Sequence, residues 1–156
     1  MNLSLLYIIL LSISPISELR GGIPYALSQG YSIKSAFFIC VLSNILIVLF
    51  ILFFLNYLHI FFMKFKFYRK TFGFFHKRAE KKSKEVDKNM KNLGYLALCL
   101  FVAIPFPITG AWTGTLISWV LGLNKIKSFF AIALGVIIAG IIVSLVSLGI
   151  INIFNL

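Results

Sequence analysis

Glu18 and Arg20 are the residues in this chain whose types and surroundings point most directly to chemistry. A carboxylate can accept a proton or a cation, and a guanidinium can bind an anion or pair with that carboxylate. Glu18 is the only acidic residue outside a basic central segment, which holds Glu80, Glu85 and Asp87. Two positions apart, Glu18 and Arg20 would not face each other on a helix. In an irregular tip they can share one side, or they can pair across two copies of the chain. A charge at membrane depth costs about 2.5–3.5 kcal/mol and usually faces a cavity or a partner. The alternative is a tip that reaches the membrane interface, where both groups are solvated. Pro15, Gly21, Gly22 and Pro24 surround the pair and free backbone groups that need partners or water.

A second cluster has no charge. Pro105, Pro107, Gly110 and Gly114 interrupt an apolar run, and Thr109, Thr113 and Thr115 add hydroxyls beside the Trp112 indole N–H. Half-helix ends at such a break present partial charge to a polar substrate group. Trp112 and Trp119 can instead anchor at the membrane interface. Neither cluster contains paired carboxylates, a nucleophile with its base, or a phosphate-cradling loop. Cys40, Cys99, His59 and His76 form no metal motif. The expectation is a protein that is not an enzyme and carries no metal or cofactor.

The elements that must position these clusters are apolar helices. The chain is 60% hydrophobic and only 12% charged, where a soluble domain sits nearer half and a quarter. Ala36 to Phe62 and Ser128 to Phe154 carry no charge, and each exceeds the about 20 residues that cross a bilayer as a helix. A chain this small cannot hide two such helices in a soluble core. Gly135, Gly140 and Gly149 suggest close helix packing in the last span. Asn44, a lone polar residue in the first, is either interhelical glue or functional.

A shift of 92 residues carries one half of the chain onto the other. Pro15 falls on Pro107, Ser17 on Thr109, Gly22 on Gly114, Gly30 on Gly122, and Phe37–Phe38 on Phe129–Phe130. Prolines and glycines that coincide at the breaks indicate an internal repeat. The short runs Leu3 to Ile13 and Leu93 to Ile104 are too short to cross about 30 Å at about 1.5 Å per residue. The reading is therefore an all-α integral membrane fold of two inverted repeats. Residues 1–62 form the first, with a re-entrant hairpin over 3–31 and a transmembrane helix over 36–62. Residues 93–156 form the second, with a hairpin over 93–123 and a helix over 128–154. Four full crossings with parallel repeats are the alternative. Lys125 and Lys127 would then lie outside, whereas the re-entrant arrangement places them inside.

The net charge of +11 is concentrated, with 11 of 15 Lys and Arg residues between Lys64 and Lys91. Basic residues beside a span mark the cytoplasmic side, and the interleaved aromatic rings suit anionic headgroups. Residues 63–92 thus read as a basic cytoplasmic loop whose partners are membrane lipids rather than nucleic acid.

The breaks Glu18-Leu19-Arg20-Gly21-Gly22-Ile23-Pro24 and Ala103-Ile104-Pro105-Phe106-Pro107-Ile108-Thr109-Gly110-Ala111-Trp112-Thr113-Gly114 resemble the signature of the small multi-drug export protein family. The likeness covers almost the whole chain and implies a small multi-pass protein of the bacterial or archaeal inner membrane. The arrangement is also similar, more distantly, to DedA/VTT membrane proteins, which implies facing hairpins, lipid transport, and proton coupling by acidic and Arg residues. Glu18 and Arg20 match such roles, while the second hairpin has no Arg. The expected function is a small-molecule exporter, proton- or cation-coupled and homodimeric, since two spans make a thin wall. A lipid-carrier flippase and a non-transporting assembly factor are the alternatives.

Overall fold

The computed structural model describes residues 3–62, 88–106 and 109–154. Six helices follow one another among the described residues: α1 (Leu3–Ile13), α2 (Glu18–Ser28), α3 (Ile33–Phe62), α4 (Lys88–Ala103), α5 (Ala111–Val120) and α6 (Lys125–Phe154). No strand occurs among the described residues. Within the long helices, Ile33–Leu55 and Lys125–Ile150 are long and apolar enough to cross a membrane. The basic segment from 63 to 87, His76 included, and Pro107 lie outside the described residues.

Local chemistry sets the helix limits. The long helices begin earlier than the uncharged runs, at Ile33 and Lys125, because each has a polar cap just before it. The Ser35 backbone N–H donates to Ser32 Oγ at 3.3 Å. The Ile126 and Lys127 N–H groups donate to Asn124 Oδ1 at 3.1 and 3.2 Å. These side chains satisfy donors that a helix start leaves without an intrahelical acceptor.

The ends of α2 and α5 share one glycine-dependent geometry. Gly30 and Gly122 have φ values of 81° and 64°, in the left-handed region that glycine occupies without penalty. Tyr31 N–H donates to the Ala26 carbonyl at 3.1 Å and Gly30 N–H to Leu27 at 3.0 Å. Leu123 N–H donates to Ser118 and Gly122 N–H to Trp119, both at 3.0 Å. Both are Schellman motifs, 92 positions apart.

The breaks are shorter than the Pro/Gly clusters suggest. Only 14–17 and 104–110 separate the helices that flank them. Pro24 lies inside α2, where its missing N–H leaves the Arg20 carbonyl without its usual helical donor. Gly114 likewise lies inside α5. A helix tolerates these residues when packing fixes it from outside, and α2 buries Leu19, Ile23 and Ala26. α4 also starts before the apolar run, at Lys88, and reaches 16 residues, about 24 Å and still below the hydrocarbon thickness.

The core lies where the long helices meet the short ones, around Ile8, Ile23, Val48, Val102, Ile132 and Val136. Gly135 lets α6 approach α4, since a Cβ there would stand 2.6 Å from the Cys99 carbonyl oxygen. Gly140 lets α6 approach α3, with a Cβ 2.7 Å from Val41. Gly149, expected to pack as closely, has nothing within 4 Å of such a Cβ. Asn44 is fully buried and ties α3 to α1, donating from Nδ2 to the Ser12 carbonyl at 3.0 Å. Outward-facing residues are large and apolar, including Phe38, Phe53 and Leu145. A surface of this kind is stable against lipid and a liability in water. The chain is a membrane protein.

Candidate functional site

The site forms where the two breaks cross. α5 begins at Ala111, and its first N–H groups point out of the helix without intrahelical acceptors. The Glu18 carboxylate supplies them. Oε2 accepts from Ala111 N–H at 3.4 Å and Oε1 from Trp112 N–H at 3.3 Å. These are long hydrogen bonds, but a negative charge at a helix N-terminus also gains from the helix dipole. Glu18 therefore caps a helix more than 90 positions away in the chain.

Gly110 makes this approach possible. A Cβ at Gly110 would overlap the Glu18 carboxylate. Its backbone is extended, with φ of 171°, so glycine is required there for space rather than for an unusual backbone angle. Glu18 itself has φ of 46°, in the left-handed region that non-glycine residues seldom adopt. Such a backbone costs on the order of 1–3 kcal/mol and persists where surrounding contacts fix it. Here Glu18 N–H donates to the Ser14 carbonyl at 3.1 Å while the side chain is held on α5.

Two further side chains cross in opposite directions. The Arg20 guanidinium donates through Nη2 to the Thr109 carbonyl in the second break, with Thr109 Oγ1 at 3.4 Å. The Trp112 indole N–H donates to the Ile13 carbonyl, at the end of α1, at 2.9 Å. Ser17 Oγ adds a bond to the Leu11 carbonyl at 2.5 Å. Thr109 Oγ1 holds the second break, within reach of the Ile104 and Phe106 carbonyls at 2.8 and 2.9 Å. A cavity of about 10 Å³, bordered by Glu18, Arg20, Pro105, Ala111 and Val136, has room for about one water.

The structure thus gathers Glu18, Arg20, Thr109, Gly110 and Trp112, with Pro105 at the cavity wall. It places the remaining candidates elsewhere. Pro15 and Pro24 are exposed and Thr113 is half-buried on α5. Gly21 stands over Ser17. Gly22 faces Ser12 and Cys40, and Gly114 faces Val102, so both are packing positions. Pro107 lies outside the described residues. Arg20 makes its hydrogen bonds to Thr109 of the facing break, and Glu18 makes its own to α5. Sequence reasoning missed Ile13 and Ala111, which act through backbone groups that carry no residue-type signal. It also missed Ser17, although that residue matches Thr109 under the 92-residue shift. Among the described residues no three His, Cys, Asp or Glu side chains gather as a metal site.

The family described as "Putative small multi-drug export protein" matches residues 18–142, which begins at the capping carboxylate, just after the first break, and includes the second. No curated protein matches the chain, and no solved structure does. The likeness to DedA/VTT proteins rests on the hairpin arrangement read from the sequence alone.

Proposed function

The chain belongs to the small multi-drug export protein family, and on that premise we propose that it exports small molecules across the inner (plasma) membrane, coupled to protons or cations through Glu18. The family description names a transport class rather than an enzyme class. In this reading each half is a re-entrant hairpin followed by one crossing, and the second half is inverted. The basic segment between α3 and α4 lies on the cytoplasmic side, and a homodimer completes the wall. The matched caps Ser32 and Asn124 and the matched glycines Gly30 and Gly122 support a repeat. Inverted repeats with broken helices at mid-depth are a recurring transporter plan.

The observation that carries the proposal is the half-buried Glu18 carboxylate on the N–H groups of Ala111 and Trp112. With space for about one water beside it, this arrangement is closed to substrate. Protonating Glu18 removes the negative charge that favours the α5 N-terminus, an effect of about 0.3–2 kcal/mol. The hairpin tips then separate more readily, and substrate takes the vacated space. Re-ionisation restores the cap and closes the site.

The test is purified protein in liposomes under an imposed pH gradient, with ethidium as the transported probe and a pH dye as the second readout. Coupled ethidium and proton movement that Glu18→Gln abolishes supports the proposal. No flux of either, together with stoichiometric co-purification of a membrane partner, replaces it with an assembly role.

A further inference from the structure

Trp112 bonds across the junction through both its backbone and its side chain. Its backbone N–H meets the Glu18 carboxylate at 3.3 Å, and its indole N–H meets the Ile13 carbonyl at 2.9 Å. The residue that ends α1 and the carboxylate that opens α2 are therefore held by the same residue of α5. We infer that Trp112 is the positioning residue for Glu18: its indole bond fixes the end of α1 against the start of α5, and so presents the capping N–H groups to the carboxylate.

Three observations carry this. First, the Ile13 carbonyl belongs to the last turn of α1, where carbonyls lose their intrahelical donors. Breaking the indole bond leaves that acceptor unpaired in a part-buried place, which costs more than the bond itself contributes. Second, the first break is short. Only Ser14 to Ser17 separate α1 from α2, so a shift at Ile13 passes to Glu18 through four residues. Glu18 cannot absorb that shift easily, because its φ of 46° already lies in a sparse region. Third, a second side chain crosses the other way. The 92-residue shift carries Arg20 onto Trp112. Arg20 donates to the Thr109 carbonyl of the second break, as Trp112 donates to the Ile13 carbonyl beside the first. Trp112 thus takes the place of Arg20 in the second half, although its acceptor, Ile13, does not match Thr109 under that shift.

The inference rests on the reading of Glu18 as the group that holds the tips together, and its test needs no transported substrate. Cys40 is fully buried beneath the first hairpin, near Gly22 and Ser12, so its alkylation reports lifting of that hairpin. The full chain, with Cys99→Ala, is reconstituted in lipid nanodiscs and treated with N-ethylmaleimide. Trp112→Phe keeps the ring and the backbone N–H and removes the indole donor. It should alkylate about tenfold faster than the parent, the scale of one lost part-buried hydrogen bond. Trp112→Phe combined with Glu18→Gln should react no faster than the faster single variant, because both changes open one lock. Trp112→Phe at the parent rate overturns the inference. Rates that multiply in the double variant also overturn it, since Trp112 would then be an independent contact. Benzothienylalanine at position 112, an isostere without the N–H, is the second variant if phenylalanine disturbs folding. Failure of ethidium and proton coupling in liposomes, with these alkylation results intact, would sink the transport reading and leave the positioning role standing.

Discussion

The carboxylate of Glu18 occupies the space that a side chain at Gly110 would need. One residue supplies the charge and the other the room for it, and the 92-residue shift carries the first onto the second. Gly110→Ala should therefore expel Glu18 from the α5 N-terminus. Loss of that cap is expected to cost about 1–2 kcal/mol and to abolish coupled flux. Adding Glu18→Ala relieves the overlap but leaves α5 uncapped, so it should cost no further thermal stability in detergent and recover no flux. Unchanged stability and flux in Gly110→Ala would show that the carboxylate does not sit there.

The Glu18 variants separate charge from shape. Glu18→Gln keeps the size of the side chain and a carbonyl acceptor but cannot titrate, so coupled flux should be lost while the protein stays folded and inserted. Glu18→Asp keeps the charge with a shorter reach, and should retain part of the activity with an altered pH profile. Because Arg20 is bonded to the Thr109 carbonyl, removing Glu18 does not leave the guanidinium without a partner. Arg20→Gln in the Glu18→Gln background is therefore expected not to restore flux or stability. Rescue by the double variant would instead make Glu18 a counter-charge for Arg20.

The glycines can be ranked by what a new Cβ would meet. Gly135→Ala faces a backbone carbonyl at 2.6 Å and Gly114→Ala faces Val102 at 2.6 Å. Overpacking of this kind costs about 1–3 kcal/mol. Gly135→Ala should be the worse of the two, because backbone yields less than a side chain. Gly149→Ala meets nothing within 4 Å and should stabilise α6 by about 0.5–1 kcal/mol. Thermal unfolding in one detergent gives the order, and equal effects at all three positions would contradict it. Ala26 and Ser118 look from the sequence like tolerant comparison sites. Both are buried, so Gly149 is the better comparison.

Topology has a direct measurement. In a Cys-free background, single Cys probes at Lys34 should label from outside, and probes at His76 and Lys125 from inside. Same-side labelling of the Lys34 and Lys125 positions would favour four full crossings.

The sequence by itself determined the class of this protein and most of its helices. Long uncharged runs, a proline or glycine at each break, and glycine at positions 30 and 122 are local signals. Helix length, capping and left-handed turns depend on neighbours a few residues away. The singular position of Glu18 was also legible, because one acidic residue among apolar segments stands out by composition. Tertiary structure alone decided what Glu18 and Trp112 touch. Their partners are the N–H groups of Ala111 and Trp112 and the carbonyl of Ile13. Every residue type but proline presents both of these backbone groups, so no residue pattern marks them. Packing also decided that Pro24 stays helical and that Gly135, but not Gly149, meets another helix. Those outcomes follow from which helix faces press together, and that choice is made by contacts between segments far apart in the chain.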